Sequence, residues 1–215
     1  MSELSSEELI NGLKDGWGEL NHPSLVTPFV GQDAKQKMQI QQKTEEIRAF
    51  LDVVLGLEHR GFVLETGLGR GGTHLLWRKL FERVISIEHD YHSVAAFLFA
   101  LEEPRNSTIL WGSSINPSTV HKIETILAGQ PLDVLFIDGN HDYEFVKQDF
   151  INYSPMVREG GIIAFHDTVS EHGPECFVDE LRTGEGVERA CQIVDIHSDD
   201  GPGISYYVVK GEGSP

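Results

Sequence analysis

Between Gly61 and Asp167 the chain carries five short apolar, β-branched runs, four of them stopping on a carboxylate. They are GFVLE (61–65), RVISIE (83–88), STILW (107–111), LDVLFID (132–138) and GIIAFHD (161–167). Near-continuous apolarity, rather than alternation, is what a strand covered on both faces requires. THLLWRKLFE, YHSVAAFLFALEE, PSTVHKIETILAG and EFVKQDFINYSPMV lie between the runs, all of crossover-helix length, with Pro117 suited to a first helical turn. This alternation predicts an α/β fold, a parallel sheet with helices on both faces. Ligands of such sheets bind outside the carboxyl ends of the strands, so the polar endings of the runs carry the functional information.

The rhythm changes after the fifth run. A helical piece, ECFVDELR, leads into RACQIVDIHS and ISYYVVK, which are separated by the turn-rich DDGPG and read as an antiparallel hairpin. Upstream, IQQKTEEIRAFLDVVLG spaces Ile40, Ile47, Phe50, Leu51, Val54 and Leu55 as one helix face packed on the sheet. At 215 residues and 40% hydrophobic content the chain can bury one substantial core, and one domain is expected. Residues 37–215 form that domain, and residues 1–36, with the irregular NHPSLVTPFVG, read as an arm that covers a pocket or a neighbouring subunit. Such an arm is compatible with a homodimer.

The 34 acidic against 17 basic residues give a net charge of -17, which repels a nucleic-acid backbone and attracts cations. The acidic opening MSELSSEELINGLKDGWGEL lacks the basic start and apolar run of a signal peptide, and no stretch approaches the roughly 20 apolar residues of a membrane span. Cys176 and Cys191 lack C-x-x-C spacing and read as two free thiols. A cytoplasmic protein with neither membrane nor nucleic-acid partner is the expectation.

After the first run, Gly67, Gly69 and Gly72 spell G-x-G-x-x-G ahead of a helix, a turn whose amides can approach a ligand closely. Glu88, at the end of the second run, is placed to accept from ribose hydroxyls. A nicotinamide dinucleotide and S-adenosylmethionine both carry that ribose. Glu65 separates them: a carboxylate before the glycines repels a pyrophosphate and attracts a methionyl ammonium. A nicotinamide-dependent oxidoreductase is the alternative, opposed by Glu65 and by the lack of a separate substrate domain. At the fourth and fifth strand ends, Asp138, His141, His166 and Asp167 converge if those strands are neighbours. Four such groups can make a divalent metal site with an adjacent base, and a two-histidine, one-carboxylate subset keeps a metal-dependent hydroxylase as a further alternative.

With E-T-G-L-G-R-G-G at 65–72, I-E-H-D at 87–90, W-G-S-S at 111–114 and the closing hairpin, the chain resembles the class I S-adenosylmethionine-dependent methyltransferases. F-I-D-G-N-H-D-Y at 136–143 and G-G-I-I-A-F-H-D-T at 160–168 are similar to a branch with metal-dependent sugar and antibiotic O-methyltransferases and cephalosporin-hydroxylase-like proteins. The resemblance implies a doubly wound, seven-stranded Rossmann-like sheet of order 3-2-1-4-5-7-6 with an antiparallel last strand. It implies that Glu65, Gly67 and Gly69 surround the methionine part of the cofactor, Glu88 the ribose and Ser113 the adenine. It further implies Asp138, His166 and Asp167 as metal ligands, His141 as the base, and a small-molecule hydroxyl on a sugar, phenol or natural product as methyl acceptor. The chain departs from that branch at His166-Asp167, where the relatives have Glu-Asp, and at Ser113, near which many carry an acid. Magnesium or manganese is expected, an imidazole ligand suiting manganese better than magnesium.

Overall fold

The computed structural model describes residues 4–14, 42–100, 106–184 and 190–211. Helix α1 (Ser6–Lys14) and α2 (Thr44–Leu55) precede β1 (Phe62–Thr66), α3 (Gly72–Trp77), β2 (Arg83–Glu88), α4 (Tyr91–Ala100) and β3 (Ser107–Trp111). Then follow α5 (Pro117–Leu127), β4 (Leu132–Ile137), α6 (Tyr143–Tyr153), β5 (Val157–His166), α7 (His172–Thr183), β6 (Val194–Ile196) and β7 (Ile204–Val208). The seven strands form one sheet of order β3-β2-β1-β4-β5-β7-β6. Pairings from β3 through β5 are parallel, and β7 runs antiparallel to both β5 and β6. The predicted topology, hairpin included, is the observed one.

Two apolar layers explain why the central runs are continuous. On one face Val63, Val84, Val134, Phe136 and Ile162 pack beneath α1, α2 and α3; on the other Leu64, Ile85, Leu135, Ile163 and Phe165 pack beneath α5, α6 and α7. Successive residues of one strand therefore feed opposite layers, the period of two that a pleated strand dictates. Ile47, Phe50, Leu51 and Val54 of α2 are fully buried, as their spacing predicted, with Trp77 edge-on to Phe50 and Phe136. Replacing such an aromatic by alanine costs about 3–5 kcal/mol. Ile40 and most of the arm, NHPSLVTPFVG among it, lie outside the described residues.

Several boundaries differ from the sequence reading. Residues 6–14 form a helix that went unassigned, with Leu9 and Ile10 buried against the first layer. β5 begins at Val157 rather than Gly161, because a register shift between Leu132 and Val134, with Gly160 at φ 72°, lets the chain bend and still pair. The sixth strand shrinks to Val194–Ile196. On α4, Leu98 is 49% exposed, while its neighbour Phe97 is buried.

Among the described residues no helix is long and apolar enough to cross a membrane.

Candidate active site

A cleft of about 590 Å³ opens along the carboxyl ends of β1 to β5, where the parallel sheet leaves its strand ends uncovered. Its wall divides into a backbone-built half at β1–β3 and a side-chain-built half at β4–β5.

In the first half, β1 ends at Thr66 and the chain turns through Gly67 and Gly69, at φ 89° and 50°. A β-carbon on Gly67 would lie 2.0 Å from the Asp138 carbonyl oxygen, so only glycine lets this turn pass the end of β4. Glu88, the last residue of β2, accepts from the amides of Leu68 (3.1 Å) and Gly69 (3.0 Å) through one oxygen and from Asp90 N–H through the other. Amides that would cradle a phosphate are thus already facing a carboxylate, so a pyrophosphate would meet a negative charge here. Gly67, Gly69, Glu88 and Ser113 all line the cleft.

Glu65 behaves differently from its neighbours. It is fully buried on the α3 face of β1 and is not among the residues that line the cleft. Oε2 accepts from Ser86 Oγ at 2.5 Å, and the Trp77 side chain also bears on the carboxyl. Ser86 in turn contacts His74 Nδ1 (2.7 Å), whose Nε2 meets Ser107 (2.9 Å), giving a buried lateral chain across β1, β2 and β3. Burial pushes the Glu65 carboxyl well above its ordinary range, the Ser86 hydrogen bond only partly opposing it. Burial likewise holds His74 down to about 3, so that imidazole is neutral. The hydrogen-bonded chain that His74 completes has no signature in the sequence.

In the second half, the parallel pairing of β4 with β5 sets Asp138, just past β4, beside His166, the last residue of β5. His166 Nδ1 lies 3.0 Å from Asp138 Oδ1 and 2.9 Å from Asp167 Oδ2. Asp167 adopts a left-handed backbone at φ 58°, which an aspartate tolerates better than most residues. His141 Nε2 is 3.0 Å from Asp167 Oδ2, and its Nδ1 is 3.7 Å from Glu171 Oε1. All four predicted residues therefore meet in one cluster that lines the cleft.

The charges support one another. Burial opposes protonation of His166, yet the Asp138 and Asp167 carboxylates push it up to about 10. Burial alone would raise Asp167, but hydrogen bonds from His141 and His166 hold it well below the usual carboxylate range. Asp138 is raised, burial outweighing the neighbouring His166. The hydrogen bond to Asp167 lifts His141 above its ordinary value.

Among the described residues, ligand atoms of Asp138, His141 and Asp167 lie within 4.8 Å of one another, a set that fits a divalent cation. His166 is outside that set, because Nδ1 is already engaged by both carboxylates while Nε2 is buried without a partner. One accessible imidazole with two carboxylates is also the inverse of the two-histidine, one-carboxylate arrangement considered for a hydroxylase.

Two sequence features belong elsewhere. Tyr143 and Lys147, four apart on α6 as in a Y-x-x-x-K pair, are tied to Glu180 of α7, and neither lines the cleft. His89 lines the cleft, whereas His172 is 89% exposed and does not. Sequence reasoning missed Gln42, a buried cleft residue whose side chain donates to Asp138. It also missed Glu46, a fully buried carboxylate that accepts from Ser198 and Gly203 and so anchors the β6–β7 loop onto α2.

The family described as Methyltransferase domain (Methyltransf_24) matches residues 63–168. Among solved structures, the O-methyltransferase NovP is 17% identical, with a TM-score of 0.60 over 96% of this chain and 98% of that one. MycE from the mycinamycin biosynthetic pathway, in complex with Mg, SAH and mycinamycin VI, is 18% identical, with a TM-score of 0.52 over 78% of this chain and 50% of its own. A curated relative, the uncharacterized protein y4gI of Sinorhizobium fredii, is 46% identical over 43 residues, which are 20% of this chain and 5% of that protein. The chain thus spans half of MycE and a small fraction of y4gI. Residues 63–168 thus match the methyltransferase-domain family, and the seven-stranded sheet shares its fold with the O-methyltransferase NovP.

Proposed function

We propose that this protein transfers a methyl group from S-adenosylmethionine to a hydroxyl of a small molecule, a sugar, phenol or other natural product. The observation that carries the reading is the Asp138, His141, His166 and Asp167 cluster facing the glycine turn across one cleft. In this reading Gly67 and Gly69 pass close to the methionine part, Glu88 takes the ribose hydroxyls and Ser113 lies by the adenine. Glu65 acts from beneath the turn by charge: an ammonium above it would favour its ionised form.

S-adenosylmethionine supplies an electrophilic methyl on a positive sulfur, and a divalent cation on Asp138 and Asp167 would lower the pKa of a hydroxyl bound to it. His141 serves as the base. Asp167 accepts its Nε2–H and so leaves Nδ1 free to take the acceptor's proton, while Glu171 favours the resulting imidazolium. The acceptor oxygen then forms the new C–O bond as the C–S bond breaks, and its electron pair stays on sulfur. His166 keeps both aspartates turned toward one another and balances part of their charge. Two carboxylate oxygens suit magnesium or manganese.

NovP and MycE are O-methyltransferase and methyltransferase by name, which supports the acceptor class proposed. The methyltransferase-domain match stands against the nicotinamide alternative. Titration calorimetry with S-adenosylhomocysteine and with a nicotinamide dinucleotide tests the proposal: the first binds and the second does not. The reverse result ends it.

A further inference from the structure

Gln42 lies just before α2, 96 positions from Asp138, and is 7% exposed on the cleft wall. Its Nε2 donates to Asp138 Oδ2 at 2.7 Å, and its Oε1 accepts from Thr73 Oγ1 at 2.8 Å. Thr73 sits in the first turn of α3, directly after the glycine turn. The two contacts fix the amide's sense: a hydroxyl proton needs the carbonyl side, and a carboxylate needs the NH₂ side. Asp138 thereby has both oxygens held, Oδ1 by His166 and Oδ2 by Gln42.

The contacts form one continuous chain. It runs from Thr73 through Gln42 to Asp138, then through His166 to Asp167 and His141. Its first member stands beside the turn assigned to the cofactor and its last is the proposed base. An amide bonded at both ends links the two groups directly, and its Thr73 contact is buried away from water.

We propose that Gln42 is a positioning residue that locks Asp138 against His166 and couples the glycine-turn half of the cleft to the acid–imidazole half. The inference rests on the methyl-transfer reading only for what fills the glycine-turn half. Filling that half displaces Thr73, and Gln42 passes the displacement to Asp138 and the imidazole it holds. Reciprocally, whatever reorients Asp138 is felt at the turn.

The test is the ring Cε1–H signal of His166 in proton–carbon spectra at fixed pH, assigned by its loss in His166→Gln. In the ligand-free protein, Gln42→Ala is expected to displace that signal, since Asp138 loses one of its two restraints. Thr73→Val keeps the shape and removes only the hydroxyl, and it is expected to give a smaller displacement in the same direction. Should Gln42→Ala fail to fold, the isosteric Thr73→Val decides alone. A His166 signal unmoved in every folded variant overturns the inference and makes Gln42 a filler of the wall. With S-adenosylhomocysteine added, the signal moves in the wild type and stays at its ligand-free place in Gln42→Ala. An equal ligand-induced movement in both removes the coupling. If the wild type does not bind S-adenosylhomocysteine, the methyl-transfer reading fails, while the ligand-free comparison still decides what Gln42 holds.

Discussion

The carboxylates in and around the cleft differ in what stands beside them, and Asp138, raised by burial despite His166, lies between the two extremes. At β4–β5, Asp167 is flanked by two imidazoles and held well below its usual range. Away from that cluster, Glu65 has the Ser86 hydroxyl and the Trp77 side chain and Asp149 of α6 the Ser114 and Thr66 side chains, and burial pushes both upward, Asp149 to about 6. A compensated pair keeps its charges permanently and can orient a proton transfer. An uncompensated carboxylate awaits either a proton or a cation brought by a ligand. The difference matches the proposed division of labour, a cation-bearing methyl donor over one half and a hydroxyl losing its proton over the other.

The largest expected effect breaks the second half alone. His141→Ala should lower methyl transfer by about 10²–10⁴-fold and leave S-adenosylhomocysteine affinity within about twofold, as read by steady-state rates and calorimetry. Unchanged turnover would remove His141 from the role of base.

Gly67→Ala strikes where the halves touch. With φ at 89° and a new β-carbon 2.0 Å from the Asp138 carbonyl oxygen, the turn must shift or open. A loss of about 3 kcal/mol or more in urea unfolding is expected, together with loss of S-adenosylhomocysteine binding. A variant as stable as the wild type would mean the turn does not pass that close to β4.

Asp149→Asn sharpens the electrostatic contrast through pH. The folded carboxyl, near 6, binds its proton more tightly than the unfolded one at 3.8. Its contribution to stability is therefore greatest below about pH 4 and declines as pH rises through 6, by on the order of 2–3 kcal/mol. Asparagine does not titrate, so the variant should gain on the wild type between about pH 4 and pH 7 in parallel denaturation curves. A gap that stays constant over that interval contradicts the assignment.

The smallest effect concerns Glu65. Burial makes its carboxyl hold a proton more tightly than an ordinary carboxylate does, and an ammonium placed above it would favour the release of that proton. Cofactor binding should then release a fraction of a proton, seen as a dependence of the binding enthalpy on buffer ionisation. Glu65→Gln should abolish that dependence, and its absence in the wild type would put Glu65 out of electrical reach of the ligand.

Much of this contrast was legible before the fold. Gly67, Glu88, Asp138 and Asp167 end or follow apolar runs, and the ends of parallel strands must gather at one edge, so their convergence follows from pattern alone. Gln42 and Glu46 gave no such signal: each is one polar residue at the start of a helix, and each finds its partner across a long sequence separation. Asp149 sits on α6 like any helical carboxylate until packing closes over it. Placing Glu65 at the cleft surface went too far, because the pleat alternates and turns it into the layer beneath α3.

The sequence by itself determined the parallel sheet, its order through the resemblance, the closing hairpin, the glycine turn and the four residues that meet at β4 and β5. It could do so because periodicity and strand endings are properties of neighbouring residues along the chain. Only the tertiary structure decided which carboxylates keep their charge, that His166 is spent between two aspartates, and that Gln42 joins the halves. Those outcomes depend on burial and on the third dimension of contact, where a group's partner is fixed by how layers pack and not by what stands next to it in the chain.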